Sequence, residues 1–260
     1  MEWDTGGAEE EDSHQAGSAD FQEAEAGSAE AAPRGDGRYM KKLAQKFLSD
    51  MDKKKIQKAV EDAEQQTSGE IVPMVVSSSY HYPMANVIGA TAVSLPLSII
   101  FTLLIDRQLW LATRNMWTFI ILFFVLFALL HALIDLVPWF KRIFISPGEI
   151  EEEVQETATT TFFKNGLYRT RDETGVLIFI SIFECKVWVL ADRGINEKVA
   201  KDQWQEIVQH IINGIKQHRQ ADAICEAVGM VGKLLKTHFP VKPDDIDELP
   251  NLIIGDRVTH

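Results

Sequence analysis

Two long apolar runs dominate the pattern of hydrophobic and polar positions. Ala85 to Ile105 holds no charged residue, and Met116 to Ile134 holds one ionisable group, His131. An uncharged helix of about 20 residues crosses a bilayer core of roughly 30 Å. Only Asp106 to Asn115 separates the runs, so they predict a helical hairpin that enters and leaves a membrane on one side. Pro96 is placed to bend the first span, where neighbouring helices can re-satisfy the freed backbone. Trp110, Trp117 and Trp139 fall where interfacial aromatics are expected. His131 and Asp135 lie four residues apart on the second span. Asp135 is close to the exit at Pro138, Lys141 and Arg142, so an interfacial hydrogen bond is the simpler reading of it than a proton path.

The flanks carry shorter periods. Arg38 to Ser49 is amphipathic and is expected to dock on the domain. Met51, Ile56, Ala59, Val60 and Ala63 recur at helical spacing after a cap at Ser49 or Asp50. Glu70 to Ser77 (EIVPMVVS) reads as a strand, and Pro73 inside it points to an edge position or a bulge. After the hairpin, Ser146-Pro147-Gly148-Glu149 has the form of a capping box heading a helix to Lys164, closed by Asn165-Gly166. Thr174 to Phe183 is almost wholly apolar, as a strand buried on both faces would be. Glu184-Cys185 reads as the turn into a second strand, Lys186 to Ala191. Glu197 to Gln217 and Ala221 to His238 are amphipathic helices.

Helices alternate with apolar strands, so the flanks predict one layered α/β domain. The strand before the hairpin has no partner except those after residue 174. The expected fold is α/β, a small mixed sheet sandwiched by helices and interrupted by a two-helix transmembrane hairpin. Its parts are an acidic disordered tail (1–37), the first piece of the domain (38–84), the hairpin (85–140), the second piece (141–240) and an extended tail (241–260).

Charge changes this picture little. The chain has 260 residues and a formal net charge of -12. Met1 to Gly37 holds eleven acidic residues against one base, Arg34, and therefore carries most of that excess. The tail has too few large apolar side chains to offset its ordering entropy. The remainder is near neutral, which argues against nucleic acid as a partner. Cys185 and Cys225 have no metal-ligand spacing and read as small core residues. The acidic N-terminal stretch lacks the form of a signal peptide, so the first apolar run is expected to act as an internal signal anchor with both termini cytoplasmic. The Lys/Arg bias of the loops is nearly even: Arg107 and Arg114 face Lys141 and Arg142.

The chemistry is less marked. There is no Gly-rich phosphate loop, no paired His/Asp metal signature and no nucleophile elbow. Three pieces in order resemble the TPM domain family of bacteria and chloroplasts, most of all its membrane-inserted bacterial branch. They are Thr67-Ser68-Gly69-Glu70-Ile71-Val72, Asp172-Glu173-Thr174-Gly175 opening Val176-Leu177-Ile178, and Asp192-Arg193-Gly194-Ile195 ending the next strand. The resemblance covers roughly residues 45–240, the hairpin apart, and implies a small central sheet between helices. Some family members are similar to acid phosphatases or bind calcium, and others look like assembly or maturation factors. The resemblance thus implies Asp172, Glu173 and Asp192 as candidate calcium ligands, with the cation needing six to eight oxygens. Solvated turn residues are the plainer reading of the same three. Two functions follow as expectations. One is a non-enzymatic scaffold or assembly factor tethered to the bacterial inner membrane, with the bilayer and other membrane proteins as partners. The other is a metal-dependent phosphatase in which Arg169, Arg171 or Arg193 holds phosphate. A transporter is disfavoured, because two spans with one histidine give little polar lining.

Overall fold

The computed structural model describes residues 4–5, 43–109, 115–171, 173–241 and 249–255. Most of the acidic tail, Arg38 to Lys42, Trp110 and Asp172 therefore lie outside the described residues, as do the side chains of Asp135 and Trp139.

In chain order the elements are β1 (Asp4–Thr5), a helical segment α1 (43–47), α2 (Asp50–Glu64), β2 (Glu70–Val76), α3 (Pro83–Leu109), α4 (Asn115–Leu136), α5 (Pro138–Ile143) and α6 (Pro147–Lys164). A 3-10 turn, Leu167–Arg169, leads to β3 (Gly175–Ser181) and β4 (Lys186–Ala191). Then come α7 (Arg193–Asn196), α8 (Lys201–Lys216), α9 (Gln220–His238) and β5 (Ile253–Gly255).

The strands form one mixed sheet in the order β1-β4-β3-β2-β5. β2 runs parallel to β3, with Glu70 opposite Gly175 and Val76 opposite Ser181. β3 and β4 form the antiparallel hairpin that the apolar pattern predicts. Every residue of β2 and β3 is buried, because helices cover both faces. One face carries Ile71, Val75, Val176, Ile178 and Ile180 against α2, α8 and α9. The other carries Val72, Met74, Leu177, Phe179 and Trp188 against Val154, Ala158 and Phe162 of α6. The alternation along each strand thus splits a continuous apolar run into two cores.

Pro73 has a simple place in this sheet. Ile71 donates its N–H to the Glu64 carboxylate, away from β3, and Pro73 shares its parity. Pro73 therefore faces the side where β5 has not begun, since β5 pairs only with Met74 to Val76. The missing N–H removes no ladder bond, and the strand needs no bulge. β5 itself comes from the C-terminal segment that the pattern leaves extended.

Caps differ from expectation in one case. Ser49 caps α2 with a full capping box: its hydroxyl accepts from Asp52 N–H, and Asp52 accepts from Ser49 N–H at 2.9 Å. Ser49→Ala is expected to cost about 1 kcal/mol, measured by chemical denaturation of parent and variant. Ser146 sits at the N-cap of α6 with Pro147 after it, but its side chain makes no capping bond. Ser146 is exposed, so water can serve its hydroxyl and the first-turn N–H groups. Met51, placed on the apolar side by spacing, instead points to solvent, while Ile56, Val60 and Ala63 are buried.

α3 and α4 are each long and apolar enough to cross a membrane, over Pro83–Ile105 and Met116–Ile134. They pack as an antiparallel pair: the start of α3 at Gly89 approaches Ile134 near the end of α4. Ala90, Ser94, Ser98 and Thr102 line the contact face of α3, and their hydroxyls bond back to their own helix. The outward faces are apolar, with Phe101, Leu103, Phe124, Val125 and Leu129 exposed. The apolar surface starts at Met84, directly beside the domain.

Candidate functional site

The motif residues gather at the end of the sheet away from the hairpin, where β2 and β3 begin and β4 ends. They are mutually bonded through the backbone. Glu70 N–H donates to Thr174 O (3.1 Å), the Thr174 hydroxyl donates to Ser68 O (2.9 Å), and Asp192 N–H donates to Gly175 O (2.8 Å). The Thr67 hydroxyl donates to Phe239 O (2.6 Å) and accepts from Gly69 N–H. Thr170 Oγ1 accepts from Thr174 N–H (2.9 Å), which ties the end of the 3-10 turn to the start of β3.

Gly175 is required by contact rather than by backbone angle. A Cβ there would lie 2.4 Å from the Leu167 carbonyl oxygen. Glu70 on one neighbouring strand and Asp192 on the other flank this glycine. Both lie on the face that carries Leu177 and Phe179.

The three expected ligands stand as follows. Asp192 caps α7 through Oδ1, which accepts from Arg193 N–H at 2.7 Å. Its Oδ2 is buried and has no hydrogen-bond partner among the described residues. Glu173 is exposed on the adjacent loop, in a left-handed conformation at φ 53°. Asp172 lies outside the described residues. Among those residues, no three His, Cys, Asp or Glu side chains cluster as metal ligands.

The candidate phosphate-holding arginines are engaged elsewhere. Arg193 pairs with Glu197 at 3.0 Å on the surface. Arg169 lies over the Tyr168 ring, 5.3 Å from its centroid, and donates to the Tyr168 hydroxyl. Tyr168 also contacts Phe163, which is 56 % exposed, so an aromatic and cationic patch borders the site.

Glu184 was invisible to the sequence reading, which takes it for an ordinary turn residue. It is fully buried at the opposite end of the sheet, with Ser78, Ser79 and Ser181 around it. Three consecutive serines between a buried strand and an apolar helix were the available signal.

Comparison with known proteins agrees with this architecture. The TPM domain model matches residues 142–234. The BA42 protein from the psychrophilic bacterium Bizionia argentinensis, a solution NMR structure, superposes with a TM-score of 0.50 at 22 % identity. The match covers 80 % of this chain and 95 % of that one. No curated protein matches the sequence. The chain carries a TPM domain, a mixed sheet flanked by helices, together with two helices long and apolar enough to cross a membrane.

Proposed function

We propose that this chain is a membrane-anchored, non-enzymatic TPM-domain scaffold that assists assembly or maturation of other membrane proteins. Its hairpin spans the bacterial inner membrane, and its domain lies on the cytoplasmic side. The observation that carries the reading is the exposed Phe163–Tyr168 pair with Arg169 stacked on it. Aromatic side chains and arginine supply most of the binding energy at protein interfaces. α6 runs from the hairpin to this patch, and seven-residue β3 spans about 20 Å. The patch therefore stands off the bilayer, in reach of the polar part of a membrane protein. The test is affinity purification from bacterial membranes with the parent and a Phe163→Ala/Tyr168→Ala variant, with quantitative mass spectrometry. A membrane protein recovered stoichiometrically with the parent, and reduced about tenfold or more with the variant, is the expected result. Equal recovery with both would remove this surface from the reading.

A second reading, calcium-assisted phosphatase chemistry, draws on the unpartnered Asp192 Oδ2 and on the Asp192 N–H bond to Gly175 O, at the strand start that follows Glu173. Asp192 and Glu173, with Asp172, would hold the ion, and carbonyls and water would complete the six to eight oxygens it takes. Bound calcium would supply Lewis-acid stabilisation of a phosphoryl oxygen. Asp192→Asn keeps a capping oxygen but removes the charge. Calorimetric titration with calcium is expected to show saturable binding to the parent and at least about tenfold weaker binding to the variant. Absence of heat with the parent would end the calcium reading.

A further inference from the structure

Glu184 lies in the tight turn between β3 and β4, where the sheet meets the root of the hairpin. Its Oε1 accepts from Ser79 N–H at 2.9 Å and sits 3.1 Å from Ser78 Oγ and 3.4 Å from Tyr80 N. Its Oε2 accepts from the Ser181 hydroxyl, whose oxygen is 3.1 Å from Ser79 Oγ. Most of these partners belong to residues 77–82, the loop that leads into α3. Three other elements hold the same loop. Lys141 on α5 donates to His81 O (2.9 Å), Thr157 on α6 lies 3.4 Å from Ser79 O, and Ala44 N–H on α1 donates to Ser77 Oγ (3.0 Å).

The hydrogens around Glu184 count out differently in its two charge states. Ser78 has one hydroxyl hydrogen and two oxygens to give it to: Tyr80 O at 2.7 Å and Glu184 Oε1 at 3.1 Å. A protonated Glu184 meets both needs, because it donates to Ser78 Oγ while Ser78 donates to Tyr80 O. An ionised Glu184 draws the Ser78 hydroxyl away and leaves Tyr80 O without that donor. Otherwise it faces an oxygen lone pair inside a dry site, which is costly.

The charged and titratable surroundings are mixed. Tyr82, from the same loop, lies near enough for its phenol and the Glu184 carboxyl to act on each other, and its buried hydroxyl makes no close hydrogen bond among the described residues. Glu149 and Glu153 on α6 act on Tyr82. Arg142 on α5 acts on Cys185, next to Glu184. Lys186 on β4 lies 3.8 Å from Glu151 of α6. Burial pushes the Glu184 carboxyl above its usual range, opposed by the bonds from Ser181, Ser79 and Ser78.

We propose that Glu184 is a proton-operated latch between the TPM domain and the hairpin. Protonated, it holds residues 77–82 against the β3–β4 turn. Ionised, it frees the Tyr80 carbonyl and loosens the root of α3. The folded carboxyl has a higher pKa than the unfolded one, which titrates near about 4.3. The latch is therefore fully stabilising below that value and is lost as pH rises through the folded pKa. One proton allows the opening equilibrium to grow by at most about tenfold per pH unit across that window.

The test is amide hydrogen exchange of peptides covering 77–82, on the full chain in lipid nanodiscs over a pH series, corrected for intrinsic exchange. In the parent, opening is expected to rise with pH through a single transition. In Glu184→Gln, which stays uncharged, it is expected to be flat with pH. The amide group at the Oε1 position can donate to Ser78 or accept from Ser79 N–H but not both, so the pH dependence and not the absolute level of opening is the readout. Infrared titration of the parent supplies a second measurement that depends on no variant: a carboxylic-acid band must disappear at the midpoint of the exchange transition. A flat parent profile, a transition that survives in Glu184→Gln, or a midpoint mismatch would overturn the latch.

Discussion

Phe179→Ala is expected to lower the unfolding free energy by about 3–5 kcal/mol, the usual cost of truncating a buried phenylalanine. Phe179 is fully buried in the centre of β3, between Met74 on β2 and Trp188 on β4. Its ring fills the core under α6, shared with Val154, Ala158 and Phe162. Nearby helices are tied at both ends, by the hairpin and by the Leu167 turn, so little collapse into the cavity is available. Denaturant unfolding of the full chain in nanodiscs, followed by tryptophan emission, measures the effect. A loss under about 1 kcal/mol would mean that α6 does not cover this face.

Gly175→Ala is expected to cost about 1–3 kcal/mol or more, although it adds a single methyl group. The new Cβ would lie 2.4 Å from the Leu167 carbonyl oxygen, a backbone atom that cannot rotate away. Either the 3-10 turn or the start of β3 must move, and Asp192 N–H then loses its bond to Gly175 O. Faster hydrogen exchange at the Asp192 amide should therefore accompany the lost stability. Gly229→Ala in α9 is the control. A Cβ there meets nothing within 4 Å, so the change should stabilise by up to about 1 kcal/mol through helix propensity. If both alanines destabilised equally, the contact argument at Gly175 would fail.

The fold was legible wherever burial imposed a pattern. The unbroken apolar run of β3 announced a strand covered on both sides, and the helical spacing of Ile207, Ile211 and Ile215 matches the buried face of α8. The partner of β2 followed by elimination, and its pairing with β3 is found. Met51 falls outside the helical period of α2 on a stricter count: it lies five residues before Ile56 and nine before Val60, so it sits on the opposite, solvent-facing side of α2. Spacing fails where burial depends on another segment. Glu184 looks like a solvated turn residue because the loop that buries it lies about 100 residues earlier in the chain. The motif residues Thr67, Thr174 and Gly175 marked the right end of the sheet, but their side chains and backbone are spent on holding loops together. The calcium reading proposed for that end draws on Asp192 and Glu173, whose placement no sequence spacing encodes.

The pairing of Glu70 with Gly175 also has a consequence for synthesis on the ribosome. β2 emerges first and cannot find its parallel partner until both apolar helices have been made. Seven buried-type residues with an open strand edge must wait through the synthesis of α3 and α4. Unpaired apolar strands are the segments that aggregate or recruit chaperones. On the proposed membrane-anchored reading, targeting precedes closure of the domain, and a chain whose insertion stalls would leave β2 bare as a mark for quality control.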